Sequence, residues 1–146
     1  MVVRARVAIL ATGDELVEPD RLQDDGRIVS SNSYGLQAAV LDAGAEPVLL
    51  GISRDEPAAI AESFRRALHC DVVISTGGTG LTGRDVTVEA HRDVYEKEID
   101  AFGTVFTHVS MAKIGTSAVQ SRATGGVAGG TYLFALPGST GSPARE

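Results

Sequence analysis

The chain has 146 residues, enough for one domain that buries roughly 70% of the surface its unfolded chain exposes, so it needs no disulfide or structural metal. Nineteen acidic and thirteen basic residues give a net charge of −6, which argues against nucleic-acid partners because they require clustered Lys and Arg. A single cysteine, Cys70, excludes an intramolecular disulfide, and no apolar run resembles a membrane span or secretory signal, so a cytoplasmic protein without a membrane partner is expected.

Two strand-and-helix units are predicted first. Residues 7–11 (VAILA) form a continuous apolar run, which is typical of a strand covered on both faces. Asn32 is placed to cap a helix whose apolar side chains share one face. Residues 47–52 (PVLLGI) repeat the strand pattern, and Asp55 with Pro57 opens a second helix.

The third unit contains a glycine-rich loop. Residues 71–75 (DVVIS) form another buried strand, which leads into the loop 76–84 and a helical stretch from about 86 to 100. This alternation predicts an α/β fold with a doubly wound, mostly parallel sheet and helices on both faces.

The last third has a different pattern. Residues 124–130 (TGGVAGG) carry four glycines between the segments 118–123 and 131–136, which indicates a hairpin-like return near the C-terminus. No linker, strict repeat or low-complexity segment interrupts the chain, so residues 1–146 are predicted to form a single domain.

The glycine-rich loop is the most informative segment. It reads STGGTGLTGRD over residues 75–85 and follows a buried strand, at the edge of a parallel sheet where ligands collect. Glycines let backbone N–H groups approach phosphate oxygens, although a tight turn without a ligand is the alternative. The G-x-G-x-x-G spelling at Gly78, Gly80 and Gly83 is discounted as a dinucleotide fingerprint, because it follows the third strand rather than the first.

A family resemblance enters at this loop. TGGTG at 76–80 followed by RDVT at 84–87 resembles the signature of the molybdopterin-binding domain, found in adenylyltransferases of the MoaB/MogA type. GTS at 115–117, QSRA at 120–123 and LPGS at 136–139 are similar to the MoaB branch in type and order.

A second branch of the family matches the beginning of the chain. Residues 11–16 (ATGDEL) look more like the corresponding domain of the related molybdenum-insertion protein. The resemblance therefore covers nearly the whole chain. The beginning of the chain is similar to the insertion protein, and its later segments are similar to the MoaB branch.

The resemblance implies parallel strands with flanking helices, assembly as a homotrimer or a dimer of trimers, and a part in molybdenum cofactor biosynthesis. It also implies Mg²⁺-dependent transfer of AMP from ATP to the terminal phosphate of molybdopterin, with release of pyrophosphate. Molybdopterin and ATP are then the expected partners and Mg²⁺ the expected cofactor. A non-catalytic molybdopterin-binding or carrier protein is the alternative, because a phosphate-binding loop serves either.

Two carboxylates are the candidate catalytic and metal-binding residues. A phosphate monoester is already largely dianionic at pH 7, so carboxylates in such a site are better interpreted as Mg²⁺ ligands than as general bases. This criterion selects Asp85, beside the glycine loop, and Asp55, after the preceding strand. For each, the alternative is a helix N-cap.

The remaining candidates would bind the pterin, the nucleotide or their phosphates. Arg122 is expected to contact phosphate in a bidentate manner, and the segment 137–139 is expected to close the site. For these residues the alternatives are turn residues and a surface arginine. The candidates are Thr12, Gly13, Asp14, Thr76, Gly77, Gly78, Thr79, Gly80, Ser121, Arg122, Pro137, Gly138 and Ser139.

Overall fold

A computed structural model describes residues 3–21 and 26–138 of the chain. The strands are β1 (Arg6–Thr12), β2 (Leu16–Val17), β3 (Ile28–Val29), β4 (Glu46–Ser53), β5 (Val72–Thr76), β6 (Lys97–Glu98), β7 (Thr124–Ala128) and β8 (Thr131–Leu136), and the helices are α1 (Asn32–Asp42), α2 (Pro57–Arg66), α3 (Thr87–Val94) and α4 (Asp100–Ile114). In these ranges strands and helices alternate from β3 to α4, and short 3-10 helices lie at Pro19–Arg21 and Gly115–Gln120.

The central sheet has six strands in the order β4-β1-β5-β8-β7-β6. Strands β4, β1, β5 and β8 pair in parallel, while β7 runs antiparallel to β8 and β6 runs antiparallel to β7. A separate two-stranded parallel sheet joins β2 and β3. The predicted α/β class with a mostly parallel sheet is confirmed.

Helices cover both faces of the central sheet. On one face, Leu10 and its neighbours pack with Phe64 of α2 and Ala90 of α3 in the main apolar core. On the other face, a smaller cluster joins β1 to α1, and the ring of Phe102 on α4 lies 4.9 Å from that of Phe134 on β8. No helix in the described residues is long and apolar enough to cross a membrane.

The single helix predicted over about 86–100 is wrong. α3 ends at Val94, and the backbone N–H groups of Glu96 and Ile99 donate to carbonyl oxygens of Val127 and Gly125 at 2.8 Å. The intervening charged residues therefore add the edge strand β6 to the sheet, and a separate helix, α4, begins at Asp100.

The hairpin-like return is present, but its strands differ from the prediction. Residues 118–123 lie in a 3-10 helix and a loop, whereas the glycine-rich segment itself forms β7 and only Gly129–Gly130 make the turn. Gly126 in β7 leaves room for a ring, because a Cβ there would lie 2.5 Å from Tyr95. Glycine in this segment thus permits close aromatic packing on a strand rather than marking a loop.

Candidate functional site

A cleft of about 1270 Å³ opens at the carboxyl ends of β1 and β5, the edge at which parallel sheets collect ligands. Its walls come from the loop after β1, the glycine loop after β5, the start of α1 and the end of α4. The predicted site residues that line it are Thr12, Gly13, Asp55, Thr76, Gly77, Gly78, Thr79, Gly80, Asp85, Ser121, Pro137 and Gly138.

The first two glycines of the loop are required by close packing. Gly77 and Gly78 have φ angles of +105° and +69°, a region that residues with a side chain rarely adopt. A Cβ on Gly77 would lie 2.6 Å from the carbonyl oxygen of Thr12, and one on Gly78 would collide with Thr87. Thr12 and Thr87 also bond to each other through their hydroxyls at 3.0 Å, so the loop is held tightly against β1 and α3.

Several donors in the cleft have no partner among the described residues. Among residues 3–21 and 26–138, the N–H groups of Gly78 and Thr79 donate no hydrogen bond. The Ser121 hydroxyl is buried, lines the cleft and lacks a partner among these residues. Lys113 at the end of α4 lines the cleft and forms no ion pair within the described ranges. Unpaired donors and a cation around one cavity suit an anionic ligand.

Asp85 is held in place by the glycine loop. Its Oδ2 accepts hydrogen bonds from the Thr82 backbone N–H at 2.9 Å and from the Thr82 hydroxyl at 2.7 Å. Partial burial raises the pKa of Asp85, but the bonds from Thr82, the Gly80 backbone and the nearby Arg122 charge outweigh it and lower that pKa. The N-cap of α3 is Val86, with no side-chain cap bond, so capping does not explain this carboxylate.

Asp55 forms a reciprocal pair with Asp14. The Asp14 N–H donates to Asp55 Oδ2 at 3.1 Å, and the Asp55 N–H donates to Asp14 Oδ1 at 3.0 Å. Desolvation raises the pKa of Asp55, against the opposing effect of the Asp14 backbone bond. The N-cap of α2 is Glu56 without a side-chain cap bond, so Asp55 does not serve as the cap, and Asp14 itself does not line the cleft.

Arg122 lies behind the loop instead of facing the cleft. Its guanidinium pairs with Glu89 at 2.6 Å and donates to the carbonyl oxygens of Gly80 and Asp85. The guanidinium N–H groups, which were predicted to bind phosphate, therefore donate to oxygens of the protein in this structure.

Asn32 is the first residue of α1 and not its cap, which corrects the prediction. The N-cap is Ser31, and the Asn32 amide donates to the carbonyl oxygen of Gly138 and, at 3.4 Å, to the Thr76 hydroxyl. Asn32 thus ties the segment after β8 to the end of β5 at the cleft. Ser139, the last predicted binding residue, lies outside the described residues.

These geometric features agree with a comparison to known protein families. The model of a family described as "probable molybdopterin binding domain" matches residues 8–145. The chain belongs to this family. The resemblance of the TGGTG and RDVT segments is thereby confirmed. All five residues of TGGTG line the cleft, as do Arg84 and Asp85 of RDVT, whereas Thr87 begins α3.

Relatives of this molybdopterin-binding domain come from both branches seen in the sequence. Over 100 residues, 66% of this chain, it is 43% identical to "Molybdenum cofactor biosynthesis protein B" of Staphylococcus carnosus (strain TM300) and spans 59% of that protein. Over 83 residues, 56% of this chain, it is 48% identical to "Molybdopterin molybdenumtransferase" of Nostoc sp. and spans 19% of that protein. The chain thus matches less than two thirds of the length of either relative.

A solved structure of similar fold is the molybdopterin biosynthesis enzyme MoaB from Thermus thermophilus. It superposes with a TM-score of 0.80 at 28% identity and covers 95% of this chain and 85% of its own. The likeness confirms the family's fold over nearly the whole length.

The sequence did not single out every polar residue that lines the cleft. Ser117 and Gln120 stand in the segments quoted for the resemblance, so their motif was a usable signal. Lys113 lies on a helix that was not predicted, so no sequence signal placed it near the loop. The polar lining residues absent from the predicted set are Glu15, Ser30, Ser31, Asn32, Thr82, Arg84, Lys113, Ser117 and Gln120.

Proposed function

We propose that this molybdopterin-binding domain acts in molybdenum cofactor biosynthesis by transferring AMP from ATP to the terminal phosphate of molybdopterin, with release of pyrophosphate. The observation that carries the proposal is one cleft lined by the carboxylates of Asp55 and Asp85 and by the loop residues Gly78 and Thr79, whose N–H groups donate no hydrogen bond within the described ranges. The names of its relatives, which include a molybdenum cofactor biosynthesis protein, support the same pathway.

The size of the cleft suits two ligands. A site for one drug-sized molecule usually has about 300–1,000 Å³, and this cleft has about 1270 Å³. This volume supports the joint binding of a nucleotide and a phosphorylated pterin, which a transfer between them requires.

The reaction depends more on electrostatic stabilisation of the phosphates than on proton transfer. An oxygen of the molybdopterin phosphate attacks the α-phosphorus of ATP, the bond from that phosphorus to the bridging oxygen breaks, and pyrophosphate leaves with the bonding electrons. The attacking phosphate, with a second pKa of about 6, is mostly a dianion at pH 7 and needs no base. The barrier is the repulsion between two polyanions, which fixed donors aimed at the phosphates reduce.

The chain offers such donors on two sides of the cleft. The N–H groups of Gly78 and Thr79 and the Ser121 hydroxyl are candidates to hold phosphate oxygens, since the protein satisfies none of them within its described part. Lys113 and Arg84 add positive charge at the same cavity. These groups would orient both substrates and offset part of their charge.

The donor set also fits Mg²⁺. The ion prefers oxygen ligands and is usually held by one or two carboxylates together with substrate phosphates, so Asp85 and Asp55 would hold it here. Among residues 3–21 and 26–138, no group of three His, Cys, Asp or Glu side chains is arranged to hold a metal ion. When bound, Mg²⁺ neutralises phosphate charge.

Pyrophosphate release from ATP tests the proposal. The protein is incubated with ATP and molybdopterin at several Mg²⁺ concentrations, and release is expected only when all three are present. Pterin binding without pyrophosphate release at any Mg²⁺ concentration would assign the domain to the non-catalytic carrier class instead.

A further inference from the structure

We propose that Arg122 is a positioning residue that fixes the glycine loop, and through it Asp85, in the geometry that binds Mg²⁺ and nucleotide phosphates. The inference deepens the proposed function and rests on it for the ligand. The loop geometry on which it depends is a property of the protein alone.

Arg122 ties both ends of the loop to one planar group. Its Nε donates to the Gly80 carbonyl oxygen at 2.8 Å, and its Nη2 donates to the Asp85 carbonyl oxygen at 3.0 Å. Its own backbone N–H donates to the carbonyl oxygen of Thr79 at 2.8 Å. The residues between Gly80 and Asp85 are thus closed into a loop whose two ends cannot separate without breaking bonds to Arg122.

Glu89 keeps the guanidinium in this position. Its two carboxylate oxygens accept from Arg122 Nη1 at 2.6 Å and from Nη2 at 3.3 Å, in the two-pronged geometry that favours arginine over lysine. Glu89 lies in the first turn of α3, where a negative charge is favourable. The helix that follows the loop therefore anchors the side chain that holds it.

The hydrogen bonds of Arg122 act directly on the backbone of Asp85, the candidate Mg²⁺ ligand. Arg122 holds the backbone of Asp85, whose side chain in turn accepts from the backbone N–H and hydroxyl of Thr82. Both Thr82 bonds go to Oδ2, which leaves Oδ1 as the oxygen that Thr82 does not occupy. Loss of the Arg122 bonds would let the Asp85 backbone move and would misplace this carboxylate.

A lysine at this position separates geometry from charge. Arg122→Lys keeps the positive charge but cannot donate to Gly80, Asp85 and Glu89 together, because an ammonium lacks the fixed planar fork. Glu89→Gln removes the ion pair and leaves the two carbonyl contacts available. Arg66→Gln, which breaks an exposed ion pair with Glu62 on α2, is the matched control.

Native-state hydrogen exchange on the protein without ligand tests the positioning role directly. In Arg122→Lys, the amides of Thr82 and Asp85 are expected to exchange about tenfold faster, since at least one hydrogen bond with a charged donor is lost. Glu89→Gln should give a smaller increase, and Arg66→Gln none. Exchange in the loop within about twofold of wild type, or an equal rise at Ile9 in β1, would overturn the inference.

Mg-ATP binding by the same variants supplies the ligand readout. The Kd of Arg122→Lys is expected to rise about tenfold at low Mg²⁺ and to approach the wild-type value at saturating Mg²⁺, because the carboxylate is misplaced but not removed. An unchanged Kd would overturn the inference. A wild-type protein that binds no Mg-ATP would refute the proposed function, while the exchange experiment would still decide the role of Arg122.

Discussion

Asp14 and Asp55 each donate a backbone N–H to the other's carboxylate, at 3.1 and 3.0 Å, and so join the loop after β1 to the loop after β4. Asp14 does not line the cleft, whereas Asp55 does. Ligand binding by Asp14 stays a prediction, and the structure adds an indirect part: Asp14 holds the loop that carries the candidate Mg²⁺ ligand.

Replacement of Asp14 should therefore affect Mg²⁺-dependent ATP binding through Asp55. Asp14→Ala removes the acceptor for the Asp55 N–H and should weaken binding about three- to tenfold, the equivalent of one modest hydrogen bond. Asp14→Asn keeps an acceptor oxygen and should remain near wild type. Calorimetric titration of Mg-ATP measures both variants, and equal affinities for them would contradict this role of Asp14.

Alanine should destabilise the protein at one loop glycine, Gly78, and have little effect at another, Gly83. Gly78 has a positive φ and no room beside Thr87, so Gly78→Ala should lower the free energy of unfolding by about 1–3 kcal/mol or more. A Cβ added to Gly83 would meet no atom within 4 Å, and Gly83 has no positive φ, so Gly83→Ala should be nearly neutral. Urea unfolding of the pair checks this, and similar midpoints would show that the tight packing at Gly78 is not required.

Sequence periodicity predicted the strands of the parallel core because they are buried on both faces, as Ile9 of β1 and Val73 of β5 illustrate. It failed between residues 94 and 100, where the local charge pattern suits an exposed helix but backbone bonds from Glu96 and Ile99 to β7 extend the sheet. That competition between local propensity and a distant strand is not visible in a local pattern.

The site was predictable to a similar extent. Motif spelling placed Asp85 and the loop 76–80 together, because they are contiguous in the chain. The orientation of Arg122 was not predictable, since it depends on Glu89, 33 residues away. The sequence therefore predicted that Asp85 lies at the cleft, but it did not predict that Arg122 pairs with Glu89.

His91 should make the fold sensitive to acid. It is fully buried, contacts the ring of Phe64 at 4.2 Å, and bonds to the Ser75 hydroxyl at 2.7 Å through Nε2. Burial lowers the pKa of His91 from 6.5 to about 3. Between pH 6.5 and pH 3, His91 is therefore protonated in the unfolded chain but neutral in the folded protein. Stability from this group is complete above pH 6.5 and is lost as the pH falls toward 3.

Urea unfolding at pH 7.5 and pH 5 measures this effect. Wild type should lose about 2 kcal/mol through His91, and His91→Gln, which cannot be protonated, should lose correspondingly less between the two pH values. The exposed His69 supplies the control variant His69→Gln. An identical pH dependence in wild type and His91→Gln would contradict the prediction.

Helix α4 should form an interface between copies of the chain. It is rich in apolar residues, yet none of its side chains is buried by the described part of the chain, and Val105 and Val109, one turn apart, are each 58% exposed. We expect a closed homo-oligomer, a trimer or a dimer of trimers, that covers this helix.

Sedimentation of wild type and of the double variant Val105→Asp with Val109→Asp tests the assembly. Wild type should sediment as an oligomer and the double variant as a monomer, because two buried carboxylates are costly. Leu41→Asp, at a residue 54% exposed on α1, should leave the assembly intact. A single monomeric wild-type species at micromolar concentration would remove the prediction.

Asp85→Asn should leave the fold intact and remove most of the adenylyl transfer. Asparagine keeps an oxygen that can accept from Thr82, so the loop has a replacement for the bonds to Oδ2 and the melting temperature should change little. Loss of the negative charge should weaken Mg²⁺ binding strongly, because two unit charges about 4 Å apart at an effective dielectric of 20 interact by roughly 4 kcal/mol. That loss corresponds to a reduction on the order of 10³ in Mg²⁺ affinity or rate.

The capping alternative predicts a different outcome for the same variant. Asn caps a helix about as well as Asp, so a residue that served only as an N-cap would lose neither stability nor activity on this substitution. The structure already places Val86 at the N-cap of α3 and directs the Asp85 carboxylate back to Thr82. Thermal melting and pyrophosphate release, measured on one preparation over a range of Mg²⁺ concentrations, separate the two. Unchanged turnover would show that the Asp85 carboxylate only shapes the loop, and the assignment of Mg²⁺ binding would then rest on Asp55 alone.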